Sequence, residues 1–183
     1  MGRRVMAALW LALAVPIDHA AGQDTGLALR SAAFAPGADI PSRYTCEGLD
    51  LSPPLAWTEP PPGTQSFALV LDDPDAPDPK APQTTWVHWV VVGIPLKVRQ
   101  LADGAGGGRL PTGARNGLND WKRADYGGPC PPIGRHRYFY KLYALDTTLS
   151  EVSSPSKAEL ERAMQGHVLA RAELIGTYEK KHP

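Results

Sequence analysis

The segment Arg137-Tyr-Phe-Tyr-Lys-Leu-Tyr-Ala-Leu145 is the clearest β-strand pattern in this 183-residue sequence. It is dense in aromatic and aliphatic residues, which favour strands. Two further apolar runs, Ser66–Leu71 and Trp86–Val92, stop at Asp-Asp-Pro and Gly-Ile-Pro, and such boundaries are typical of strands that end in turns. Weaker strand patterns cover residues 27–31 and 172–178. These runs predict a domain built mainly from β-sheet.

The composition agrees with short strands joined by many turns, because the chain contains 18 glycines and 19 prolines. A hydrophobic content of 43% with 21% charged residues excludes wholesale disorder. Nineteen basic residues balance nineteen acidic ones, so the charge total gives no indication of a nucleic-acid partner.

One helix is predicted late in the chain. Ser156 and Glu159 have the spacing of a capping box, and Leu160, Ala163 and Met164 then form an apolar stripe. The resulting prediction is a mostly β fold, a β-sandwich with one or two short peripheral helices.

Residues 1–22 have the pattern of a secretory signal peptide, with a basic start followed by an apolar run from Val5 to Ile17. This run is too short to span a bilayer as a helix. A buried core helix is the alternative, but Pro16 and the lack of a polar face disfavour it. We therefore predict cleavage before Gln23, a single domain over residues 23–183, no later transmembrane span, and a periplasmic or secreted location.

The two cysteines, Cys46 and Cys130, are both retained after such a cleavage. An even number of cysteines in an oxidising compartment permits one disulfide. Two separate thiols remain the alternative, because the sequence does not show how close they lie. Without a CxxC spacing the pair makes a poor zinc site.

Two histidines lie on predicted strands, and alternation places His88 on one face with Trp86, Val90 and Val92. His136 shares a face with Tyr138 in the same way. A histidine among large apolar residues is ordinarily a packed core residue, so neither histidine indicates a site by itself. The turn that begins at Asp73 can likewise be an ordinary solvated turn.

Four motifs occur in the order seen in phosphatidylethanolamine-binding proteins, also called the Raf kinase inhibitor protein family. They are Asp73–Pro77, Trp86–Trp89, Gly128–Pro132 and Gly134–Tyr138. The sequence resembles the bacterial branch of this family from about residue 30 to residue 180.

This resemblance implies a β-sandwich with a deep anion pocket at one end, where the family holds phosphate-bearing ligands such as the phosphoethanolamine headgroup. Carried over to this sequence, the pocket residues are Asp73, His88 and His136, with walls formed by Tyr138, Ala76, Pro77, Gly128 and Pro129. No catalytic residue, metal or cofactor is predicted.

The chemistry of these residues fits an anion site, because an imidazole beside a carboxylate can keep its proton and donate to phosphate. Binding is then expected to weaken above about pH 7–8, where imidazoles lose their proton. Arg137 faces away from His136 by strand alternation and is predicted to pair with Asp75 instead.

The predicted function is therefore an exported module that binds a small anionic ligand, either a phosphate ester or a phospholipid headgroup. Two alternatives stay open. One is a protein that inhibits a kinase or protease through the segments 78–82 and 115–126, which are expected to line the pocket rim. The other is a metal-assisted phosphoester hydrolase that uses Asp73, His88 and His136.

Overall fold

The computed structural model describes residues 26–181, and within this range the chain forms eight strands, one α-helix and two short 3-10 turns. The predicted signal peptide, residues 1–22, lies outside the described residues. The strands are β1 (Leu29–Ser31), β2 (Leu55–Trp57), β3 (Ser66–Asp73), β4 (Trp86–Pro95), β5 (Gln100–Leu101), β6 (Arg115–Asn116), β7 (Arg135–Leu145) and β8 (Val168–Glu179). The helix α1 is Lys157–Ala163, and the 3-10 turns are Ser42–Tyr44 and Ala105–Gly107.

The strands form two antiparallel sheets, which confirms the mostly β prediction. The larger sheet has the order β6-β4-β3-β7-β8 and the smaller one the order β1-β2-β5. Strand β3 lies at the centre of the larger sheet, and all eight of its residues are buried. This position explains its continuous apolar run, because both faces of the strand are covered. Strands β2, β5 and β6 were not predicted, since two or three residues are too few to show an alternation.

The larger sheet has a hydrophobic core on each face. The core between the two sheets includes Phe67, Leu69, Leu71, Trp89, Val91, Tyr140 and Leu142. The core beneath α1 includes Ala68, Val70, Val90, Val92, Leu160 and Met164. Packing on both faces therefore encloses the central strands completely.

Helix α1 begins with the predicted capping box. The backbone N–H of Ser156 donates to the Glu159 carboxylate at 2.8 Å, and the Ser156 hydroxyl accepts from the Glu159 backbone N–H. The helix is also tied to the sheet by Lys157, which contacts the fully buried Asp72 carboxylate. Among residues 26–181, no helix is long and apolar enough to cross a membrane.

A bulge in β4 determines which way His88 faces. Trp89 pairs with Leu71 and Val87 pairs with the next residue, Asp72, so His88 has no partner of its own on β3. The prediction that His88 shares a face with Val90 is therefore wrong: Val90 packs beneath α1, whereas His88 faces the opposite side of the sheet, toward Tyr138. An extra residue in a bulge shifts the alternation by one position.

Candidate functional site

A cavity of about 560 Å³ opens at the end of the larger sheet where β3 ends and β4 begins. Three polar side chains, Asp73, His88 and Tyr138, line its inner part and come from three neighbouring strands. The remaining lining residues are Ala76, Pro77, Gln83, Thr84, Trp86, Trp121, Cys130, Pro131 and Pro132. The fold thus brings together Asp73, His88, Tyr138, Ala76 and Pro77 from the predicted site.

Asp73 is the last residue of β3, and its side chain is buried. One carboxylate oxygen accepts from the backbone N–H of Asp75 at 2.8 Å, and the other lies 2.7 Å from Nδ1 of His136. These two contacts hold the carboxylate in a fixed orientation at the cavity wall.

His136 lies behind Asp73 and does not line the cavity. Its Nδ1 faces the Asp73 carboxylate, and its Nε2 lies 3.0 Å from the carbonyl oxygen of Ile133. Both neighbours are acceptors, so both contacts are hydrogen bonds only when both ring nitrogens carry hydrogen. His136 therefore orients Asp73 and has no ring nitrogen left for a ligand.

His88 is buried, and its Nδ1 lies 2.8 Å from the carbonyl oxygen of Gly127. The ring packs edge-on against Tyr138 and Trp121, with centroid separations of 5.2 and 5.1 Å. Burial lowers the pKa of His88 from its ordinary value of 6.5, although the Gly127 carbonyl and the Asp73 carboxylate oppose this shift. His88 is therefore neutral at neutral pH, in contrast to the protonated imidazole expected from the sequence.

Tyr138 supplies an unpaired hydroxyl. Its side chain is fully buried, and the hydroxyl has no hydrogen-bond partner among residues 26–181. Burial, reinforced by the negative charge of Asp73, raises the pKa of Tyr138, so the hydroxyl keeps its proton and can donate it to a ligand. The indole N–H of Trp86, another cavity residue, is also buried and unpaired within the described range.

Gly128 and Pro129 support one wall of the cavity from behind and do not line it. The backbone N–H of Gly128 donates to Asp50 at 2.7 Å, and the carbonyl of Pro129 accepts from the backbone N–H of Cys46 at 3.2 Å. The next residue, Cys130, lines the cavity and forms a disulfide with Cys46 across a Cα–Cα distance of 5.4 Å. The structure thus confirms the bridge that the sequence left open.

The predicted pair of Arg137 and Asp75 is also confirmed. The guanidinium donates to both oxygens of Asp75, from Nε at 2.9 Å and from Nη2 at 2.7 Å. The backbone N–H of Arg137 adds a third bond at 2.9 Å. Asp75 is buried while the Arg137 side chain is 57% exposed, so the pair closes the outer side of the turn and does not line the cavity.

The sequence model of the family described as phosphatidylethanolamine-binding protein matches residues 30–179. The chain belongs to this family. A UPF0098 protein from Methanothermobacter thermautotrophicus is 47% identical over 153 residues, which cover 83% of this chain and 98% of that protein. This phosphatidylethanolamine-binding protein family member is thus related to archaeal as well as bacterial proteins.

Two solved structures have a similar fold. The homologue CT736 from Chlamydia trachomatis aligns with a TM-score of 0.77 at 40% identity, covering 86% of this chain and 99% of that chain. YbcL from Escherichia coli, described as a member of the mammalian phosphatidylethanolamine-binding protein family, aligns with a TM-score of 0.77 at 37% identity, covering 85% and 99%.

Trp121 lines the cavity of this family member, and the sequence predicted it only as part of the segment 115–126 of the inhibitor alternative, not as a named site residue. Trp121 lies outside every strand and helix, is 40% exposed, and packs edge-on against Trp86 at 5.4 Å. The available sequence signal is a large apolar residue within a polar segment, Asn119-Asp-Trp-Lys-Arg123. Trp86, against which it packs, is 35 positions away on β4, so a local sequence pattern does not show that the two residues meet.

A second depression, of about 610 Å³, lies between α1 and β8 and includes none of the predicted site residues. Arg171 lines it and already covers the ring of Tyr143 at 5.8 Å. Within residues 26–181, no group of three or more histidine, cysteine or acidic residues is arranged to hold a metal ion. In particular, His136 has no free nitrogen for the ligand set of the hydrolase alternative.

Proposed function

We propose that this phosphatidylethanolamine-binding protein family member binds a phosphate-bearing small molecule in the cavity formed by Asp73, His88 and Tyr138. The observation that carries this proposal is the Tyr138 hydroxyl, which is buried and unpaired within the described residues and belongs to a side chain that lines the cavity. Leaving such a donor unpaired costs about 1–3 kcal/mol, and a bound oxygen acceptor removes that cost.

The other lining groups support a small ligand with oxygen acceptors at one end. The buried indole N–H of Trp86 is a second unpaired donor within residues 26–181. Most of the remaining lining is apolar and comes from Ala76, prolines and tryptophans, with Gln83 and Thr84 as its polar members, so it suits the organic part of an ester. A volume of about 560 Å³ falls within the range of about 300–1,000 Å³ typical of small-molecule sites.

The test is a titration of O-phosphoethanolamine and of phenyl phosphate into the purified domain, followed by calorimetry. Tyr138→Phe removes only the hydroxyl and is expected to lower the affinity about tenfold. Tyr140→Phe is the matched control, because Tyr140 lies two positions away on β7 and packs between the sheets, outside the cavity lining. Equal affinities for the wild type and Tyr138→Phe would overturn the proposal.

We propose further that the cavity binds its ligand without catalysing a reaction. Cys130, the sulfur-bearing residue of the lining, is in a disulfide and has no thiolate to act as a nucleophile. A turnover assay with phenyl phosphate, run with and without a chelator, tests this part of the proposal. Hydrolysis that the chelator abolishes would favour the metal-assisted alternative.

Export is the remaining part of the proposal. Its support is the pattern of residues 1–22, with the exposed Cys46–Cys130 disulfide as a feature common in oxidising compartments. Expression of the full chain in a bacterium with a periplasm, followed by mass analysis of the released protein, tests it. A mature chain that begins near Gln23 is expected, and an uncleaved cytoplasmic product would contradict it.

A further inference from the structure

The protonation of the cavity groups determines which form of an acid can bind. Nδ1 of His88 lies 2.8 Å from the Gly127 carbonyl oxygen, which accepts hydrogen bonds and cannot donate them. Nδ1 must therefore carry the hydrogen. Because a neutral imidazole has only one N–H, the nitrogen that remains for a ligand, Nε2, presents a lone pair.

The charges around the cavity are negative or already paired. Asp73 contributes a carboxylate to the lining, and its partner His136 lies on the far side of it. No lysine or arginine is among the lining residues that the structure describes. The charged groups that act on His88 are the carboxylates of Asp73 and Asp50, while Tyr138 packs against its ring as an uncharged hydroxyl donor.

We propose that the cavity selects acids that still carry one proton, namely hydrogen phosphate monoesters and hydrogen phosphonates in their monoanionic form. The ligand O–H donates to Nε2 of His88, and an ionised oxygen of the same ligand accepts from the Tyr138 hydroxyl. This inference rests on the proposed function and adds to it the protonation state of the ligand.

The physical reason is that the donor and acceptor roles of the two protein groups are fixed: His88 accepts a hydrogen bond at Nε2, and the Tyr138 hydroxyl donates one. A fully ionised acid of the same shape has only acceptor oxygens, so it places an oxygen lone pair against the lone pair of Nε2 of His88, and no hydrogen bond forms between them. A fully ionised phosphate ester or phosphonate also carries two negative charges, and the second one is repelled by the Asp73 carboxylate. The alternative, protonation of His88 by solvent, is disfavoured because burial lowers the pKa of its ring.

The experiment compares methylphosphonate with methanesulfonate at about pH 6. At this pH both probes are largely monoanions of nearly equal size, and apart from the exchange of phosphorus for sulfur they differ by the single hydrogen on one oxygen. Calorimetric or NMR titration of the purified domain is expected to show at least about tenfold tighter binding of methylphosphonate, the ratio that one unpaired buried acceptor produces.

Two variants separate the roles of the two side chains. His88→Gln replaces the lone pair by a carboxamide that can turn its NH₂ toward the ligand, so the preference for methylphosphonate is expected to fall to within about threefold. Tyr138→Phe removes a donor that both probes use, so both affinities are expected to fall while their ratio stays near the wild-type value. A role of His88 in folding alone would not change this ratio.

Three outcomes are distinguishable. A wild-type preference that disappears in His88→Gln supports the inference. Equal binding of methylphosphonate and methanesulfonate by the wild type overturns the inference and leaves the proposed anion site standing. No binding of either probe, or of O-phosphoethanolamine, overturns the proposed function and this inference together.

Discussion

Nδ1 of His136 lies 2.7 Å from Oδ2 of Asp73, and neither side chain is appreciably exposed to solvent. The pair joins the end of β3 to β7 across 63 positions of sequence. It also fixes the only carboxylate among the described cavity-lining residues. The shape of the cavity therefore depends on the Asp73–His136 contact, although His136 itself does not face the ligand.

Asp73→Asn is predicted to destabilise the domain by about 1–3 kcal/mol, the usual cost of leaving a buried hydrogen-bonding group without its partner. Both Asp73 oxygens accept hydrogen bonds, and a carboxamide offers only one oxygen. Urea unfolding measures the change. A double-mutant cycle with His136→Asn should give a coupling free energy above about 1 kcal/mol, and additive effects would contradict the direct pairing.

Asp72→Asn is predicted to destabilise the domain by about 1–3 kcal/mol, because it leaves the half-buried Lys141 ammonium without its counter-ion and Lys157 with only the more distant Glu161. The Asp72 carboxylate is fully buried and lies 2.7 Å from Nζ of Lys141, and Lys157 of α1 contacts its other oxygen. Glu161→Gln is the control, because Glu161 is half-exposed and lies 3.8 Å from Lys157. An equal loss of stability in both variants would show that Asp72 has no special role.

His88 is predicted to make the ligand-free domain less stable as the pH falls below about 6.5. Burial lowers the pKa of His88 in the folded state, so the unfolded chain binds a proton on this residue before the folded chain does, and protonation then favours unfolding. The loss is limited to about 1.4 kcal/mol per pH unit for one group.

The measurement is the free energy of unfolding of the wild type and of His88→Gln at several pH values between about 5 and 7.5. Other titrating groups contribute to both proteins, so the difference between the two curves isolates His88. The difference in the free energy of unfolding should be constant above about pH 6.5. Below this pH the wild type should lose stability faster than His88→Gln does. Parallel curves over the whole range are the result that contradicts the prediction.

The sequence was sufficient to predict the long strands and the capping box of α1, and its resemblance to the family implied that Asp73 meets a histidine. It was not sufficient to tell which histidine faces the cavity. Alternation alone treats His88 and His136 alike, but the bulge at His88 and the Ile133 carbonyl beside His136 are properties of the folded backbone. These two features leave His88 at the cavity and commit both nitrogens of His136 to the protein.

The same limitation applies to the cavity walls. Gly128 and Pro129 belong to a motif that resembles the family, yet their neighbours Cys130, Pro131 and Pro132 form the lining. The position of Trp121 depends on contacts with Trp86 and His88 that are distant in sequence. The direction of each of these side chains follows from tertiary packing, which a local pattern does not contain.

Replacing Cys46 and Cys130 by serine is predicted to lower the free energy of unfolding by about 4 kcal/mol, because the bond closes a long loop in the unfolded chain. The two cysteines are 84 positions apart. Denaturant unfolding of the double variant measures the loss, and the wild type with a reducing agent should reproduce it. A change below about 1 kcal/mol would mean that the hydrogen bonds of Gly128 and Pro129 keep this cavity wall in place without the disulfide.

Gly128→Ala is predicted to displace the wall that contains Cys130 and to weaken phosphomonoester binding. A Cβ at this position would lie 2.5 Å from Oδ1 of Asp50 and 2.6 Å from the carbonyl oxygen of Tyr44. Both atoms are held in place, because Asp50 accepts from the Gly128 N–H and the Tyr44 carbonyl accepts from the Tyr126 hydroxyl. Overpacking of this kind costs about 1–3 kcal/mol.

Gly107→Ala is the matched control, since a Cβ there meets no atom within 4 Å and its effect on the free energy of unfolding should stay within about 0.5 kcal/mol. Thermal unfolding and a titration with phenyl phosphate are measured for both variants. We expect the Gly128→Ala protein to lose stability and affinity together, because the strained backbone is continuous with the lining residues. Wild-type affinity in a destabilised Gly128→Ala protein would show that the wall does not help to position the ligand.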